Sequence, residues 1–442
     1  MAPMATVLER LAEEISNGTA APPAQSRLLG IHLLDTLGAW IAGSKTPEAA
    51  RLTGLGVDAL FGAGPLDAVA LRVATIRLTE IDDIHMLSCT TPSSIVVPTA
   101  LSLAAASGKP RSLVFAQALN AGYEAITRLG SAVAGPSILY RGIWPTYLVA
   151  PFGAAAVTAR MLALDAGKTA DALAIALSMT CGRPGGHTTG ASSRWLLVGQ
   201  AARVGSLAGF AAARGYAGDR TLLDGDWLNR VHGINCDIST LLTPAEAGGA
   251  IATLSLKPYC AAKQTIATID AFCELLEGGV LPAEIMAIRV SVPPAYSAMI
   301  SGRQVTASRT QRIVSAAYNL ALAAYRRDDL IDVMRPDHSA DERISALMAR
   351  VAIVEDQELL RFYPQRWPAR VTANLTDGRE VSALVIDARG DPARSLDSVA
   401  VTKKFHLLVA PLLDRRNADE IVAACLSATE NDSALAKLCT AF

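Results

Sequence analysis

Leu256–Ala271, LKPYCAAKQTIATIDA, is where the chain changes character. Upstream of it, apolar residues recur with a helical period; downstream, helices are interleaved with short alternating runs. KPYCAAKQ leads into a helix expected over Thr265–Leu276. Ile285–Val292 alternates like a strand, Ser308–Tyr325 reads as a helix, and Ala369–Leu375 and Arg379–Ile386 alternate again. Thr376-Asp377-Gly378 joins the last two runs. Asp-Gly between alternating runs signals a hairpin, because the turn needs positive φ. Residues 263–399 therefore read as a smaller α+β domain.

Working outward, Val7–Ile15, Ser26–Ala42, Ile95–Ala106, Ser112–Gly130, Phe152–Leu164, Thr169–Thr180 and Arg194–Arg214 read as helices. Ser112 and Thr169 are placed as N-terminal caps. Ile143–Pro151 reads as a constrained link and Gly54–Pro65 as irregular. Lys403–Phe442 is helical again and is expected to return onto the first part. The expectation is a mainly α protein. A large helical domain is drawn from residues 1–262 and 400–442, with the α+β domain inserted at 263–399. Hydrophobic residues make up 51% of the chain and charged ones 18%, so much of it must be buried. Plentiful alanine allows the helices to approach closely.

A net charge of -1 argues against a nucleic-acid surface or a polybasic membrane patch. Met86–Gly108 and Gly142–Ala159 carry no charge over about a membrane's width, yet each holds two prolines. Both read as turns leading into buried helices. Seven scattered cysteines without a CxxC pair read as reduced thiols of a cytosolic protein. The six histidines are spread singly, without metal-ligand spacing. CGRPGGHTTGASSRW, residues 181–195, matches neither nucleotide-binding fingerprint and reads as a turn between helices.

Chemistry concentrates in EIDDIHMLSCTTPSSIVVPTA, residues 80–100, with three acids in four positions. A helix over Ala68–Ile84 would put Glu80 and Asp83 on one face near its C-terminal end. The helix dipole favours cations there, so carboxylates would need partners; the plain alternative is a solvated charged end. Against these acids stand Arg183, Arg194, Lys257, Lys263 and Arg303, in turns or at helix starts. Such cations can hold a substrate carboxylate, and a carboxylate or desolvated lysine can take a proton from the carbon beside it.

Taken in order, EIDDIH with PSSIVVPTAL, PFGAAAVTARML, SSRWLLVGQAARVGSLAGFAAARGYAGDRTLLDG, LKPYCAAKQTIATIDA, TDGREVSALVIDARGDPARS and KKFHLLVAPLL resemble segments of the MmgE/PrpD family over the full length. That family includes 2-methylcitrate dehydratase, cis-aconitate decarboxylase and iminodisuccinate epimerase. The resemblance implies a helical domain with an α+β lid, a homodimer, and a site in the cleft between the domains. It also implies a reaction needing no metal or organic cofactor. The family's acidic motif falls on Glu80, Asp82 and Asp83, its following threonine on Ile84, and its "HP" and "WH" histidines on Thr91 and Trp144. The lysine of "TK" falls on Arg194, and that of "KPY" is kept as Lys257. The arginine after it falls on Lys263, the histidine three further on falls on Ile266, and a lid tyrosine matches Tyr318. Implied catalytic residues are Lys257, as charge anchor or base, Glu80 and Asp83, as acid/base or as groups orienting the cationic side chains, and Tyr318, reaching in from the lid. Implied substrate contacts are Arg194, Lys263, Asp82, Thr91, Trp144 and His85.

Three family histidines are thus replaced, while cationic positions persist. Ile84, Trp144 and Ile266 suggest a drier pocket and a less charged substrate than a tricarboxylate. His85, Cys89, Tyr147 and His187 are local candidates for a proton relay, with a structural role as the plainer reading of each. The expected function is a cofactor-independent lyase or isomerase acting on a small carboxylate or carbonyl acid: dehydration, decarboxylation, epimerisation or double-bond isomerisation of a specialised substrate. The alternative is a non-catalytic acid-binding or scaffold protein that kept the fold.

Overall fold

The computed structural model describes residues 4–18, 22–57, 64–180, 191–245, 248–302 and 308–441. Arg183, His187, Arg303 and most of the glycine-rich turn of the sequence reading lie outside these. The protein is mainly α, with a large helical unit and a smaller α+β unit. The helical unit takes the described residues up to Leu254 and resumes at Asp397; the other runs over Ser255–Leu396.

In the helical unit, the Ser193–Ala213 helix packs on Pro65–Arg77, Pro145–Met161 and Ala166–Ser178. Its small residues permit this. A Cβ on Gly205 would lie 2.0 Å from the carbonyl oxygen of Pro151, so only glycine allows the two axes to approach. The helix is long and apolar enough to cross a membrane, but it is packed among these neighbours. The C-terminal return consists of helices Ser398–Val409, Arg415–Ser427 and Asp432–Ala441. Ser398–Val409 lies on Pro23–Gly43, where the Lys404 ammonium is 2.6 Å from Asp35 with both side chains buried. The two chain ends are joined there by apolar packing and a buried ion pair.

The smaller unit is built on four strands: β1 Ile285–Val292, β2 Val351–Glu355, β3 Ala369–Leu375 and β4 Glu380–Val385. Their order is β2-β1-β3-β4, with β2 parallel to β1 and the other pairs antiparallel. Val290 pairs with Ile353 on one side and Val371 on the other. The Asp-Gly hairpin forms between β3 and β4, with Gly378 at φ +86°. The Lys263–Glu277 helix covers β3 and β4, and Ala316–Tyr325 packs on that helix.

Several local expectations are corrected. The helix expected to reach Ile84 ends at Arg77, so Glu80 and Asp83 do not share a helical face. Ser112 does not cap its helix; its N–H and hydroxyl donate to Asp432 at 2.7 and 2.6 Å. Asp165, not Thr169, caps the helix starting at Ala166. The expected link Ile143–Pro151 is mostly helix, since Pro145–Met161 is continuous with Pro151 inside it. The run Ser308–Tyr325 breaks at Ser315, whose hydroxyl caps the second piece by accepting from the Tyr318 N–H.

Candidate active site

The acidic stretch begins where the Pro65–Arg77 helix stops. Thr79 turns its hydroxyl back onto the Ile76 carbonyl (2.7 Å), and Glu80 takes φ +54°. The left-handed conformation costs a residue with a side chain about 1–2 kcal/mol. It turns the Glu80 carboxylate toward two guanidinium groups. Arg77 Nη2 is 3.3 Å from both Glu80 oxygens, and Arg194 Nη2 is 3.8 Å from Oε1. Arg77 also places Nη1 2.5 Å from both oxygens of Asp82, whose side chain is fully buried. Burial works against the Arg77 charge, but Asp82 and Glu80 outweigh it and hold its pKa above the usual arginine value.

Arg194 opens the Ser193–Ala213 helix with its guanidinium between two indoles, 4.0 Å from the Trp195 ring centroid and 5.1 Å from that of Trp144. Such contacts stabilise a desolvated cation. Trp144 stacks in turn on Tyr147, one helical turn on, with centroids 5.3 Å apart and planes at 28°. Glu80, Asp82, Arg194 and Trp144 therefore come together with Arg77 and Tyr147. Arg77 escaped the sequence reading. Its signal was its place as the last helical residue before a run of acids.

The other residues of this stretch face separate networks. Asp83 accepts from the Ser93 N–H (3.1 Å) and hydroxyl (2.5 Å) and lies 3.2 Å from His32 Nδ1. Ser93 Oγ is also 2.7 Å from the Tyr123 hydroxyl. His85 and Thr90 exchange backbone hydrogen bonds across a tight turn, with Cys89 at φ +52°. His85 Nδ1 lies 2.8 Å from the Ser88 hydroxyl and 3.3 Å from the Ser88 backbone nitrogen. Burial pushes the His85 pKa down to about 4, with Asp83 opposing incompletely, so the ring is neutral at pH 7. Thr91 donates its N–H to Thr146 Oγ1 (3.1 Å) and has Ser94 Oγ at 3.1 Å, which ties the acidic stretch to the helix carrying Tyr147.

In the smaller unit, Lys257 is buried. The neighbouring Leu256 donates its N–H to the Gly390 carbonyl at 2.9 Å. Lys263 starts its helix and pairs with buried Asp391, which also accepts from the Ala388 N–H (2.9 Å). Asp270 accepts from the Arg389 N–H (2.6 Å) and the Tyr259 hydroxyl (3.0 Å). The 388–391 turn is thus fastened along the segment holding Lys257. The Tyr318 hydroxyl donates to the Pro336 carbonyl, and burial raises its pKa.

Residues 10–231 match the MmgE/PrpD N-terminal domain, and residues 259–428 match the MmgE/PrpD C-terminal domain. The chain belongs to the MmgE/PrpD family. The C-terminal MmgE/PrpD match continues past Leu396 into the helices that return to the helical unit. A relative in Aspergillus oryzae, described as cis-aconitate decarboxylase-like protein oryM, is 29% identical over 167 residues. That match covers 36% of this chain and 34% of the relative, so the two are similar over about a third of their lengths.

Proposed function

We propose that this MmgE/PrpD protein is a cofactor-independent lyase or isomerase that removes a proton beside a carboxylate or carbonyl of a small acid. The observation supporting this most directly is the cluster in the helical unit: a guanidinium held between two indoles, 3.8 Å from a carboxylate whose backbone is in the left-handed region. Arg194 would bind the substrate carboxylate by charge-assisted hydrogen bonds. Glu80, held by Arg77 and 3.8 Å from Arg194, would exchange a proton with the adjacent carbon. Removing that proton builds negative charge on a substrate oxygen, which the cations stabilise. We assign Asp82, Asp83 and Lys263 to positioning: their fully buried side chains are held by Arg77, Ser93 and Asp391. Lys257 remains the proposed charge anchor or base, and Tyr318, Thr91 and His85 the proposed outer contacts. The family and the described relative favour a small carboxylic acid as substrate. Trp144 favours one less charged than a tricarboxylate. A homodimer is proposed as well, with Leu196, Leu197 and Leu207 exposed along one helix.

The same internal pairing favours a second reading, a small-acid binder that kept the fold without the chemistry. Proton NMR in D2O with citrate, 2-methylcitrate, cis-aconitate, iminodisuccinate and unsaturated or β-keto acids separates the two. Deuterium entering beside a carboxylate, or a vinyl signal appearing or vanishing, is the expected result. Lys257→Ala should abolish this turnover while leaving the circular dichroism spectrum unchanged; full activity in that variant removes Lys257 from the reaction. Acids that raise the Tm but never exchange would establish the binder.

A further inference from the structure

Tyr147 is buried, at 2% exposure, and its hydroxyl has no hydrogen-bond partner among the described residues. Four other buried tyrosines differ from it. Tyr123 is paired with Ser93, Tyr259 with Asp270, Tyr296 with the Pro368 carbonyl and Tyr318 with the Pro336 carbonyl. Buried hydroxyls are usually paired; those of Ser206, Ser255 and Thr268 are also unpartnered among the described residues, and what distinguishes Tyr147 is its place. This one lies in the field of Arg77, Arg194, Glu80 and Asp82, the charged groups of the candidate site. Burial, helped by the two carboxylates and opposed by the two guanidiniums, pushes the phenol up to about 12. It therefore keeps its proton throughout the neutral range, able to donate a hydrogen bond but not to act as a phenolate base. Stacking on Trp144 fixes the ring, so the hydroxyl is held in place before any ligand arrives.

We propose that Tyr147 is a catalytic residue whose O–H donates to the substrate oxygen that becomes negative during proton abstraction. This rests on the lyase or isomerase reading above. In the step, the C–H bond beside the substrate carbonyl or carboxylate breaks and its proton passes to the base. The released electron pair forms a C=C bond, and the π pair of the C=O moves onto its oxygen. Tyr147 stabilises that oxygen through its hydrogen bond and keeps its own proton; when the carbon is reprotonated or a group leaves, the C=O bond is restored. The substrate class follows: an acid with one carboxylate for Arg194 and a second carbonyl or carboxylate oxygen for Tyr147.

Tyr147→Phe removes the hydroxyl and keeps the stacked ring. With an acid that the wild type turns over in D2O, the variant should lose about 100- to 1000-fold in kcat, the scale of one oxyanion donor. KM should stay within about threefold, and the loss should be uniform from pH 6 to 9, because the phenol does not titrate there. The Tm should be equal to or above the wild-type value, since an unpaired buried hydroxyl has been removed. A kcat within about threefold of wild type overturns the proposal. A fall in kcat accompanied by a lower Tm overturns it too, by making the hydroxyl structural. Wild-type protein that exchanges no proton on any acid removes the lyase or isomerase reading itself, and that failure is visible before any substitution is made.

Discussion

Lowering the pH from 7 to 5 should destabilise the fold by about 2 kcal/mol through His85 alone. The imidazole is 6% exposed in the His85–Thr90 turn, with Nδ1 against the Ser88 hydroxyl at 2.8 Å. Burial brings its pKa from the ordinary 6.5 down to about 4, and the nearby charge of Asp83 recovers only part of that. Between these values the unfolded chain binds a proton that the folded chain refuses. The stability is present above pH 6.5 and is lost as the pH falls toward 4. At pH 7 the unfolded histidine is mostly neutral and the penalty is about 0.2 kcal/mol; at pH 5 it is about 2 kcal/mol, approaching about 3 near pH 4. Chemical denaturation followed by circular dichroism at both pH values measures this, with His85→Gln as reference because glutamine cannot take the charge. Other carboxylates titrate in both proteins, so the difference between them isolates His85. Wild type should lose about 2 kcal/mol more than the variant between pH 7 and 5. Equal losses would refute the argument. The same depressed pKa has a functional corollary: His85 supplies no acid near pH 6.5, so His85→Gln should leave any activity limb near that pH in place.

The buried pair Lys263–Asp391 should behave as a structural unit. Asp391→Asn should destabilise by about 3–5 kcal/mol, and the double variant Lys263→Met with Asp391→Leu should recover most of that, both read from denaturation curves. Gly390→Ala should be damaging, because Gly390 sits at φ +91° and an added Cβ would lie 1.8 Å from the Leu256 carbonyl oxygen. The turn must move. Stability should fall by more than about 2 kcal/mol, and turnover should fall with it if Lys257 depends on this anchoring. A thermal melt and the D2O assay check both.

The smaller domain was legible because its signals are local. Alternation marks β1, β3 and β4, and Asp377-Gly378 marks the hairpin. Strand β2 was missed for a physical reason: Val351–Glu355 is short, lies at the sheet edge and pairs parallel to β1, so no tight turn announces it. The helix over 65–77 is shorter than its apolar spacing suggests, because Ile81 and Ile84 continue that spacing past the point where Glu80 reverses the backbone. That one residue sends Glu80 and Asp83, equivalent by periodicity, into different networks. Charge partners were illegible wherever they come from afar: Asp432 reaches Ser112, Asp391 reaches Lys263 and His32 reaches Asp83. Three of the residues on which the proposed chemistry rests are each in a locally unfavourable state. Glu80 has a left-handed backbone, Arg194 is a largely desolvated cation between indoles, and Tyr147 has an unpaired buried hydroxyl. Asp82, Asp83 and Lys263 are instead buried against partners without such strain. The persistence of Glu80, Arg194 and Tyr147 in such states together, in one cluster, is the physical ground for reading it as a place where something binds and reacts.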